Sequence, residues 1–480
     1  MTEINQFFRP VGAFCRRDIV TCAPDDDLVP TVREMSTRNI SSMVVCADGA
    51  PVGIFTDRDL RNKVVARGLA PASLTVADVM NAPLAVIAEN EVIYRALYRM
   101  SRERIHRLGV VDATGRLAGI ITDSDILRLQ AHSPHHLVLD IERAERVEDL
   151  HELHARIQAL VLHLSGSGIA IRELLRLIAH LNDQIVIRLI ALLRAERHRD
   201  LPDGFAFVVM GSEGRSEQTL STDQDNAIIY SDALNADEIA RIERFSVDLI
   251  DTLIAIGVPP CPGGIMAKNA AWRRSLGDWR REIDRWLDTP TPDNIMTGSM
   301  FLDLRTLHGD ATLELALRTH VFAHVARDRG FLMRMAQNMT RFTPPLGWFG
   351  KVKGERSGEH KGELDIKKAG IFAITDGIKA LALEARNLAG GTHDRIDALE
   401  AAGVLKPADA REWRAALDFL VQLRLRGHVE ALRAGRTPSN YVELERLSLM
   451  EQADLRIALE SVERFQGFIK HHFSLSLLHN

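Results

Sequence analysis

Two aspartates separated by one residue are the side chains of this sequence best suited to chemistry. Asp223 and Asp225 directly precede the apolar run Asn226–Tyr230, which predicts a β-strand entered through the pair. Successive side chains on a strand point to opposite faces, so both carboxylates would project to one side and Gln224 to the other. Two carboxylates at this spacing suit a hard divalent cation that carries phosphate oxygens. For an isolated Asp-x-Asp pair, a solvated strand end is the alternative.

A Gly-Ser dipeptide precedes the two aspartates and follows another apolar run. Phe205–Met210 predicts a short buried strand, which ends at Gly211-Ser212, beginning 12 residues before the first aspartate. An apolar strand, Gly-Ser, a spacer and Asp-x-Asp together resemble the signature of the nucleotidyltransferase superfamily with the polymerase-β-like fold. The phrases GSEGRSEQ and TDQDN are similar to one branch, the DUF294 group related to the N-terminal part of the protein-PII uridylyltransferase. The polar residues between and after the two aspartates depart from the apolar residues that the superfamily prefers.

The resemblance implies transfer of a nucleoside monophosphate from a nucleoside triphosphate. Such transfer needs mainly positioning and charge neutralisation from the protein. The Ser212 side chain and the backbone amides of Gly211 and Ser212 would cradle the triphosphate. Asp223 and Asp225 would act as catalytic residues by holding two magnesium ions that clamp the attacking and leaving oxygens.

Two further charged residues belong to this predicted site. Arg215 would either neutralise a phosphate or form a structural ion pair with Glu213 or Glu217, and the sequence favours neither. The segment SMFLDLRTLHGD looks like the third strand of the same family. The resemblance makes Asp303 the candidate third catalytic carboxylate, which helps to hold a metal and activates the attacking hydroxyl. A pair with Arg305 or a neighbouring strand-end group is the alternative for Asp303.

The C-terminal third contains a Gly- and Lys-rich stretch at 350–368, a predicted hairpin or loop, followed by a helical pattern. Through GELDIKKAGIFAITDGIKALALE it resembles the C-terminal domain that accompanies the same branch. Lys367 and Lys368, together with Lys351 and Lys353, are candidates to contact the nucleotide phosphates from across a cleft. A solvated basic face is the alternative for any one of these lysines.

The first third of the chain contains an internal repeat. GIFTDRDL at 53–60 recurs as GIITDSDIL at 119–127, an offset of 66 residues. Each copy predicts a helix, a strand, a Gly-bearing turn, a second strand and a second helix. Each copy resembles a CBS domain, and the two in tandem resemble the CBS pair that binds adenine nucleotides.

The CBS resemblance assigns four residues to a regulatory ligand, AMP, ADP or ATP. Thr56 and Thr122 would lie at phosphate, and Asp59 and Asp125 at the ribose hydroxyls. A hydroxyl with free amides at a helix N-terminus favours an anion, and a carboxylate accepts well from a ribose diol. The alternative is that each threonine and aspartate only caps its helix.

Several domains must position these motifs, because 480 residues exceed one compact domain. The predicted fold is an α+β multidomain chain that begins with a CBS pair of βαββα repeats. We expect the CBS pair at 10–130 (about 10–68 and 75–130), a helical connector at 139–199, a polymerase-β-like nucleotidyltransferase domain at 200–330 and a mainly helical C-terminal domain at 331–480.

The composition predicts a folded chain in the cytoplasm. Hydrophobic residues make up 46% of the chain and charged residues 26%, which excludes disordered and low-complexity classes. A formal charge of -5 provides no positive field for nucleic acid or an anionic membrane, so neither is expected as a main partner. Four cysteines without a Cys-x-x-Cys pair predict a reducing compartment. Charged residues interrupt the most apolar stretch, so we expect no membrane span.

The leading hypothesis is a magnesium-dependent nucleotidyltransferase that modifies a protein or small-molecule hydroxyl and is regulated by adenine nucleotide at the CBS pair. The family relation suggests UTP as donor and a PII-like protein as acceptor, although no residue selects uracil over adenine. CBS pairs commonly associate in twos, so we expect a homodimer. The competing hypothesis is a non-catalytic sensor in which the CBS pair reads adenylate charge and the nucleotidyltransferase fold only binds nucleotide or a partner.

Overall fold

The computed structural model describes residues 10–38, 40–103, 105–129, 134–165, 169–220, 223–347 and 351–475. The chain divides into two compact units, Met1–His136 and Leu137–Asn480. Each unit has its own sheets and its own clusters of buried apolar side chains. The two units are therefore described separately.

The first unit contains two copies of one motif. The first copy consists of β1 (Thr21–Cys22), α1 (Leu28–Thr37), β2 (Ser42–Ala47), β3 (Ala50–Thr56) and α2 (Asp57–Asp59), which continues into the π-helical turn Leu60–Val64. After the short helix α3 (Val76–Val79), the second copy consists of β4 (Val86–Ala88), α4 (Ile93–Glu103), β5 (Arg107–Val111), β6 (Leu117–Thr122) and α5 (Asp123–Leu129). The predicted βαββα repeat is confirmed.

Each copy folds around its own three-stranded sheet, in the orders β1-β2-β3 and β4-β5-β6. The first two strands of each sheet are parallel, and the last two form an antiparallel hairpin. Gly49 and Gly115 turn these hairpins with φ of 79° and 78°, a conformation that glycine adopts without strain. The hairpins end at Thr56 and Thr122, so both copies present the threonine at the start of the following helix.

The second unit begins with helices and continues through a mixed sheet into a helical C-terminal part. The first elements are α6 (Pro134–Arg143), which crosses the boundary, α7 (Val147–Leu164), α8 (Ile171–Glu196), β7 (Phe205–Val209), α9 (Gly211–Gly214), β8 (Asn226–Tyr230), α10 (Ala236–Ala255), β9 (Arg273–Ser275) and α11 (Leu276–Asp288). The next are α12 (Pro292–Phe301), β10 (Arg305–Gly309), α13 (Ala311–Arg327), α14 (Gly330–Met339), β11 (Glu363–Asp365) and the π-helical turn Lys367–Ile371. The last are α15 (Phe372–Glu384), α16 (Thr392–Ala401), α17 (Pro407–Arg433), β12 (Tyr441–Glu443) and α18 (Leu449–His472).

The central sheet of the second unit has the order β10-β7-β8-β9, with β7 and β8 antiparallel in the middle. Both strands are buried on both faces, and their side chains alternate between two apolar clusters. One cluster includes Phe207 and Ile228 together with residues of α7, α8 and α10. The other includes Ala206 and Ile229 together with residues of α11, α13 and the C-terminal helices. The helices predicted as a connector at 139–199 thus cover one face of this sheet and share its core.

Two predicted elements differ from those in the structure. Asp303 does not lie on a strand but in the turn between α12 and β10, because the strand begins at Arg305. The stretch predicted as a hairpin or loop at 350–368 is mostly loop, but it also contains β11, which pairs in antiparallel fashion with β12 far along the chain. The first residue of that stretch lies outside the described residues.

Candidate functional site

A cavity of 580 Å³ in the second unit brings together most of the residues predicted for the transferase site. It lies where the sheet meets the C-terminal helices. Its walls include the predicted residues Gly211, Ser212, Arg215, Asp223, Asp225, Asp303 and Lys367. The predicted Lys368, Lys351 and Lys353 do not line it: the Lys368 ammonium lies 3.2 Å from Asp365, and Lys351 lines a different cavity.

Backbone hydrogen bonds place the Asp-x-Asp segment beside the Gly-Ser turn. The Met210 N–H donates to the Asp225 carbonyl oxygen at 2.9 Å, which fixes the start of β8 against the end of β7. Gly211 has a φ of 57°, and a Cβ there would lie 3.1 Å from an oxygen of the Asp225 carboxylate. Glycine at this position therefore allows both the left-handed backbone and the close approach of the carboxylate.

The two aspartates share one electrostatic environment. Asp223 is exposed to the cavity, whereas Asp225 is partly buried. Burial raises the pKa of Asp225, a hydrogen bond from the Cys261 thiol opposes this, and the charge of Asp223 raises the pKa again. Two carboxylates that repel each other beside a cavity are stabilised by a cation between them.

The donor chemistry of this pair fits magnesium, which proteins commonly hold by one or two carboxylates together with substrate phosphates. Across the described ranges, no group of three or more His, Cys, Asp or Glu side chains is arranged to hold a metal ion. Asp223 and Asp225 would be the two ligands that the protein itself supplies to a metal ion at this site. The remaining positions suit phosphate oxygens and water.

Asp303 has a different environment from the aspartate pair. Its side chain is completely buried, and its two oxygens lie 2.6 Å from Arg215, 2.7 Å from Lys379 and 2.7 Å from Arg395. Burial would raise the pKa of Asp303, but the charges of these three cations outweigh burial and hold the pKa well below its usual range. In this structure the Asp303 carboxylate is paired with three cations, and its role as a third catalytic carboxylate stays a prediction. Arg305, its alternative partner in the sequence, pairs with Asp183 instead.

The Asp303 turn also explains a glycine of the GSEGRSEQ phrase. Any Cβ on Gly214 would overlap the backbone carbonyl oxygen of Asp303, so α9 can pack against this turn only with glycine there. The same packing brings Arg215, which follows α9, into contact with the Asp303 carboxylate. The close approach of two backbones therefore positions the Arg215 guanidinium in the cavity wall.

Arg215 makes one of the two structural ion pairs that the sequence left open. Its Nε donates to Glu217 at 2.7 Å, and Glu217 in turn accepts from the Thr392 hydroxyl at 3.1 Å. Glu213 points elsewhere: it is buried with one carboxylate oxygen unpartnered. Burial, together with the charges of Asp183 and Asp225, raises the pKa of Glu213 to about 8. Arg215 still lines the cavity, so its ion pairs do not exclude contact with a phosphate.

Two cations of the cavity wall have no carboxylate partner among the described residues. In the part of the chain that the structure describes, neither Lys367 nor Arg424 forms an ion pair. Burial lowers the pKa of Lys367, and the charges of Arg424 and Arg215 lower it further. Burial also lowers the pKa of Arg424 to about 10. Cations that repel one another around a cavity are stabilised by an anion within it.

The sequence prediction missed most of the C-terminal wall. Lys379 was not singled out, nor were Arg424 and His428 on α17. One signal was available: four residues at spacings of three and four on α17 line the cavity, and the last two are polar. They are Leu417, Val421, Arg424 and His428. A polar continuation of an apolar helix stripe indicates either a buried polar network or a site.

His428 leads to a testable prediction for the stability of the protein in acid. Its side chain is buried, and burial together with the Arg424 charge lowers its pKa from 6.5 to about 4. Between these pH values the unfolded chain binds a proton that the folded chain does not. As the pH falls through this window, we expect the free energy of unfolding to decrease by up to about 1.4 kcal/mol for each pH unit.

Urea unfolding of the wild type and of His428→Gln between about pH 7.5 and 4.5 measures this effect. The free energy of unfolding of the wild type should fall more steeply below pH 6.5 than that of the variant, and the difference between them should be constant above it. Parallel pH profiles throughout would show that His428 titrates normally in the folded protein.

The two predicted CBS sites have the same hydrogen bonds in the first unit. The Thr56 hydroxyl donates to Asp59 at 2.6 Å, and the Thr122 hydroxyl donates to Asp125 at 2.7 Å. The backbone N–H of each aspartate donates back to the threonine hydroxyl at 3.3 and 3.0 Å. Both pairs thus cap their helices, as the alternative to ligand binding predicted.

The other oxygen of each aspartate is held by a second element. Asn81 donates to Asp59 at 2.7 Å, and Arg16 donates to Asp125 at 2.8 Å. Both carboxylates are buried. A ribose diol at either aspartate would therefore share the carboxylate with these donors or displace them.

Comparison with protein families matches most of the chain but leaves out residues 1–10, 67–75, 133–154, 294–328 and 474–480. The family described as "CBS domain" matches residues 11–66 and 76–132. The family described as "Putative nucleotidyltransferase DUF294" matches residues 155–293, and that described as "Putative nucleotidyltransferase substrate binding domain" matches residues 329–473. The DUF294 match includes most of the two helices predicted as a connector.

Individual relatives match about a quarter of the chain. Uncharacterized protein MK0525 of Methanopyrus kandleri is 35% identical over 25% of this chain and 63% of its own length. Inosine-5'-monophosphate dehydrogenase of Mycobacterium tuberculosis is 40% identical over 24% of this chain and 21% of its own length. The solved structure of an uncharacterized conserved protein from Pyrococcus horikoshii is 26% identical, with a TM-score of 0.24, and covers 26% of this chain and 93% of its own.

None of the helices in the described ranges combines the length and the apolar character needed to cross a membrane.

The order of the three family matches agrees with the motifs read from the sequence: a CBS pair, then the DUF294 domain, then its C-terminal partner. The chain therefore belongs to the DUF294 nucleotidyltransferase family and carries a tandem CBS pair at its N-terminal end.

Proposed function

We propose that the second unit transfers a nucleoside monophosphate from a nucleoside triphosphate to a hydroxyl group of a protein or small molecule, with magnesium as the metal. One observation carries the proposal: the carboxylates of Asp223 and Asp225 share a cavity with Lys367 and Arg424, two cations without carboxylate partners among the described residues. A metal-bound nucleoside triphosphate, with its phosphates and its polar base, is a ligand that satisfies both groups at once. The DUF294 family match supports this class of reaction.

The residues of the cavity have distinct tasks in this proposal. The Ser212 side chain and the amides of Gly211 and Ser212 would position the triphosphate beside the aspartate pair. Asp223 and Asp225 would hold magnesium, which would neutralise phosphate charge and favour attack on the α-phosphorus. Arg215 and Lys367 would bind phosphate oxygens and stabilise the charge of the departing pyrophosphate.

The family relation extends the proposal to particular substrates and partners. UTP is the proposed donor and a PII-like protein the proposed acceptor, because GSEGRSEQ and TDQDN resemble the branch related to the protein-PII uridylyltransferase. We also propose that the chain forms a homodimer through its CBS pair, because CBS pairs commonly associate in twos. The four free cysteines are consistent with a reducing compartment, which supports a cytoplasmic location.

Label transfer from nucleoside triphosphates tests the proposed reaction. The purified protein is incubated with magnesium, a cell extract and each of the four α-labelled triphosphates in turn. The expected result is label in an acceptor fraction with one preferred donor, lost when EDTA removes the metal. Absence of transfer with all four donors would refute the transferase. Triphosphate binding without transfer would instead favour the non-catalytic sensor.

We further propose that AMP, ADP or ATP binds the CBS pair and regulates the second unit. Calorimetry with each nucleotide should show binding that is lost or weakened at least about tenfold in Asp59→Ala or Asp125→Ala, because each variant loses the carboxylate that would accept from the ribose.

Both substitutions also remove a helix cap, so a matched control is needed. Asp78 closes a capping box with Thr75 in the same unit, with bonds of 2.9 and 3.1 Å, but lies outside the repeated Thr-Asp motif. Asp78→Ala should lose a similar cap energy, about 1 kcal/mol, and keep nucleotide binding. Unchanged binding in both Asp59→Ala and Asp125→Ala would contradict the assignment of these residues.

A further inference from the structure

A buried histidine whose ring nitrogens have no hydrogen-bond partner of good geometry among the described residues lies in the cavity wall formed by α17. The His428 side chain is 2% exposed and lines the cavity. The Ser439 backbone lies near enough to affect the ring, yet neither ring nitrogen makes a hydrogen bond of good geometry. Buried polar atoms in proteins are nearly always paired, so an imidazole with this geometry in a cavity wall suits a ligand that forms hydrogen bonds with it.

Arg424 lies one helical turn before His428 and has only part of its bonding capacity used. Its Nε donates to the Asn440 side chain at 2.7 Å, which orients the guanidinium from the loop that closes the cavity. Within the described chain its terminal nitrogens have no carboxylate partner. The Arg424 charge interacts with Asp223 as well as with His428. Arg424 is therefore near enough to both Asp223 and His428 for its charge to act on them.

Apolar side chains of two helices form part of the cavity wall. Leu417 and Val421 continue the same face of α17, and Ile171 and Leu175 of α8 also line the cavity. A ligand group that suits these walls has apolar faces and a polar edge that both donates and accepts hydrogen bonds. A phosphate or carboxylate does not fit this description, because it has no apolar face.

We propose that Arg424 and His428 form the subsite for the nucleobase of the donor nucleotide, with the base between the aliphatic side chains of α17 and α8. This inference rests on the proposed function, which places the triphosphate at Asp223 and Asp225. A neutral imidazole offers one donor and one acceptor, and the Arg424 guanidinium offers donors. A pyrimidine or purine edge carries the complementary carbonyl, ring nitrogen or amino groups. The subsite thus gives the donor base a defined place on the C-terminal domain.

Inorganic tripolyphosphate separates the base from the phosphates in a binding experiment. Calorimetry with magnesium measures the affinity of the full chain for each of the four nucleoside triphosphates and for tripolyphosphate. In the wild type, the preferred nucleotide should bind more tightly than tripolyphosphate. In His428→Ala, affinity for that nucleotide should fall at least about tenfold, while tripolyphosphate affinity stays within about twofold of the wild type.

A second variant and a matched control complete the experiment. Arg424→Gln should also weaken nucleotide binding, whereas Arg426→Gln, on the same helix but paired with Glu451, should not. Retained tripolyphosphate binding shows that the site of a variant is folded. Equal losses for nucleotide and tripolyphosphate in His428→Ala would overturn the base subsite, as would unchanged nucleotide affinity accompanied by a higher KM for the acceptor. A wild type that binds no triphosphate at all would refute the proposed function itself and this inference with it.

Discussion

Replacing Asp223 and Asp225 together by asparagine is expected to reduce label transfer to background, and either single replacement to lower kcat by at least about 100-fold. Asparagine keeps the size of the side chain and one carbonyl oxygen but removes the charge that a hard cation requires. In the proposed function these two carboxylates, which both line the cavity, are the protein's share of the metal coordination. The loss of either one therefore removes half of that share.

The control is an aspartate of the same domain that lies outside the cavity. Asp237 is exposed in the first turn of α10, and Asp237→Asn should transfer label at the wild-type rate. Added manganese should restore part of the activity of a single variant if metal binding is what it lost. Single variants that transfer label within about threefold of the wild type would show that the pair does not hold the catalytic metal.

The parts of the fold that depend on local patterns could be predicted from the sequence. The hairpins at Gly49 and Gly115 and the strands on either side of Gly211-Ser212 follow from alternating apolar runs and turn residues a few positions apart. The same short range places Asp225 next to Gly211, because a strand, a turn and a returning strand bring them together. Motifs in one hairpin-like segment are therefore readable without the structure.

The environment of Asp303 could not be predicted in the same way. Its neighbours in sequence are apolar, which suggested a strand, and two of its three cationic partners lie far downstream, Lys379 on α15 and Arg395 on α16. Nothing in the local pattern says which cations will be buried against a carboxylate. Tertiary packing decides the role of a buried charge, and hydrophobic periodicity contains no information about tertiary contacts.

The same limit applies to α7 and α8. Their apolar positions recur every three or four residues, which correctly predicted two amphipathic helices, α7 at Val147–Leu164 and α8 at Ile171–Glu196. Periodicity shows that a helix has an apolar face but not which surface covers it. The structure places these faces against Phe207 and Ile228 of the central sheet. Helices that were expected to link domains thus form one wall of the transferase domain and contribute Leu175 to its cavity.

Replacing Asp303 by asparagine is expected to lower the free energy of unfolding of the second unit by about 3–5 kcal/mol. The variant places a neutral amide beside three buried cations: Arg395 loses its carboxylate partner, and Arg215 and Lys379 keep only Glu217 and Asp376. Lys379 and Arg395 are each 2% exposed, so water cannot replace the lost carboxylate without opening the structure. Urea unfolding in magnesium-free buffer measures the change. Asp203→Asn, whose partner pair with Arg194 is at the surface with Asp203 96% exposed, should change stability by less than about 1 kcal/mol.

The sign of the stability change distinguishes an anion that holds cations from a metal ligand. Without metal, a ligand carboxylate beside another carboxylate is repelled, so Asp223→Asn should leave the free energy of unfolding unchanged or raise it. Asp303→Asn should lower it strongly, because attraction to three cations is lost. If Asp303→Asn instead behaves like Asp223→Asn, and the stabilisation of the wild type by magnesium disappears in both variants, then Asp303 joins the metal site when the ion is bound. If Asp303→Asn is destabilised but magnesium still stabilises it, Asp303 is not a metal ligand. It would then hold Arg215 against Lys379 and Arg395 of the C-terminal helices and act on the reaction only through the position of Arg215.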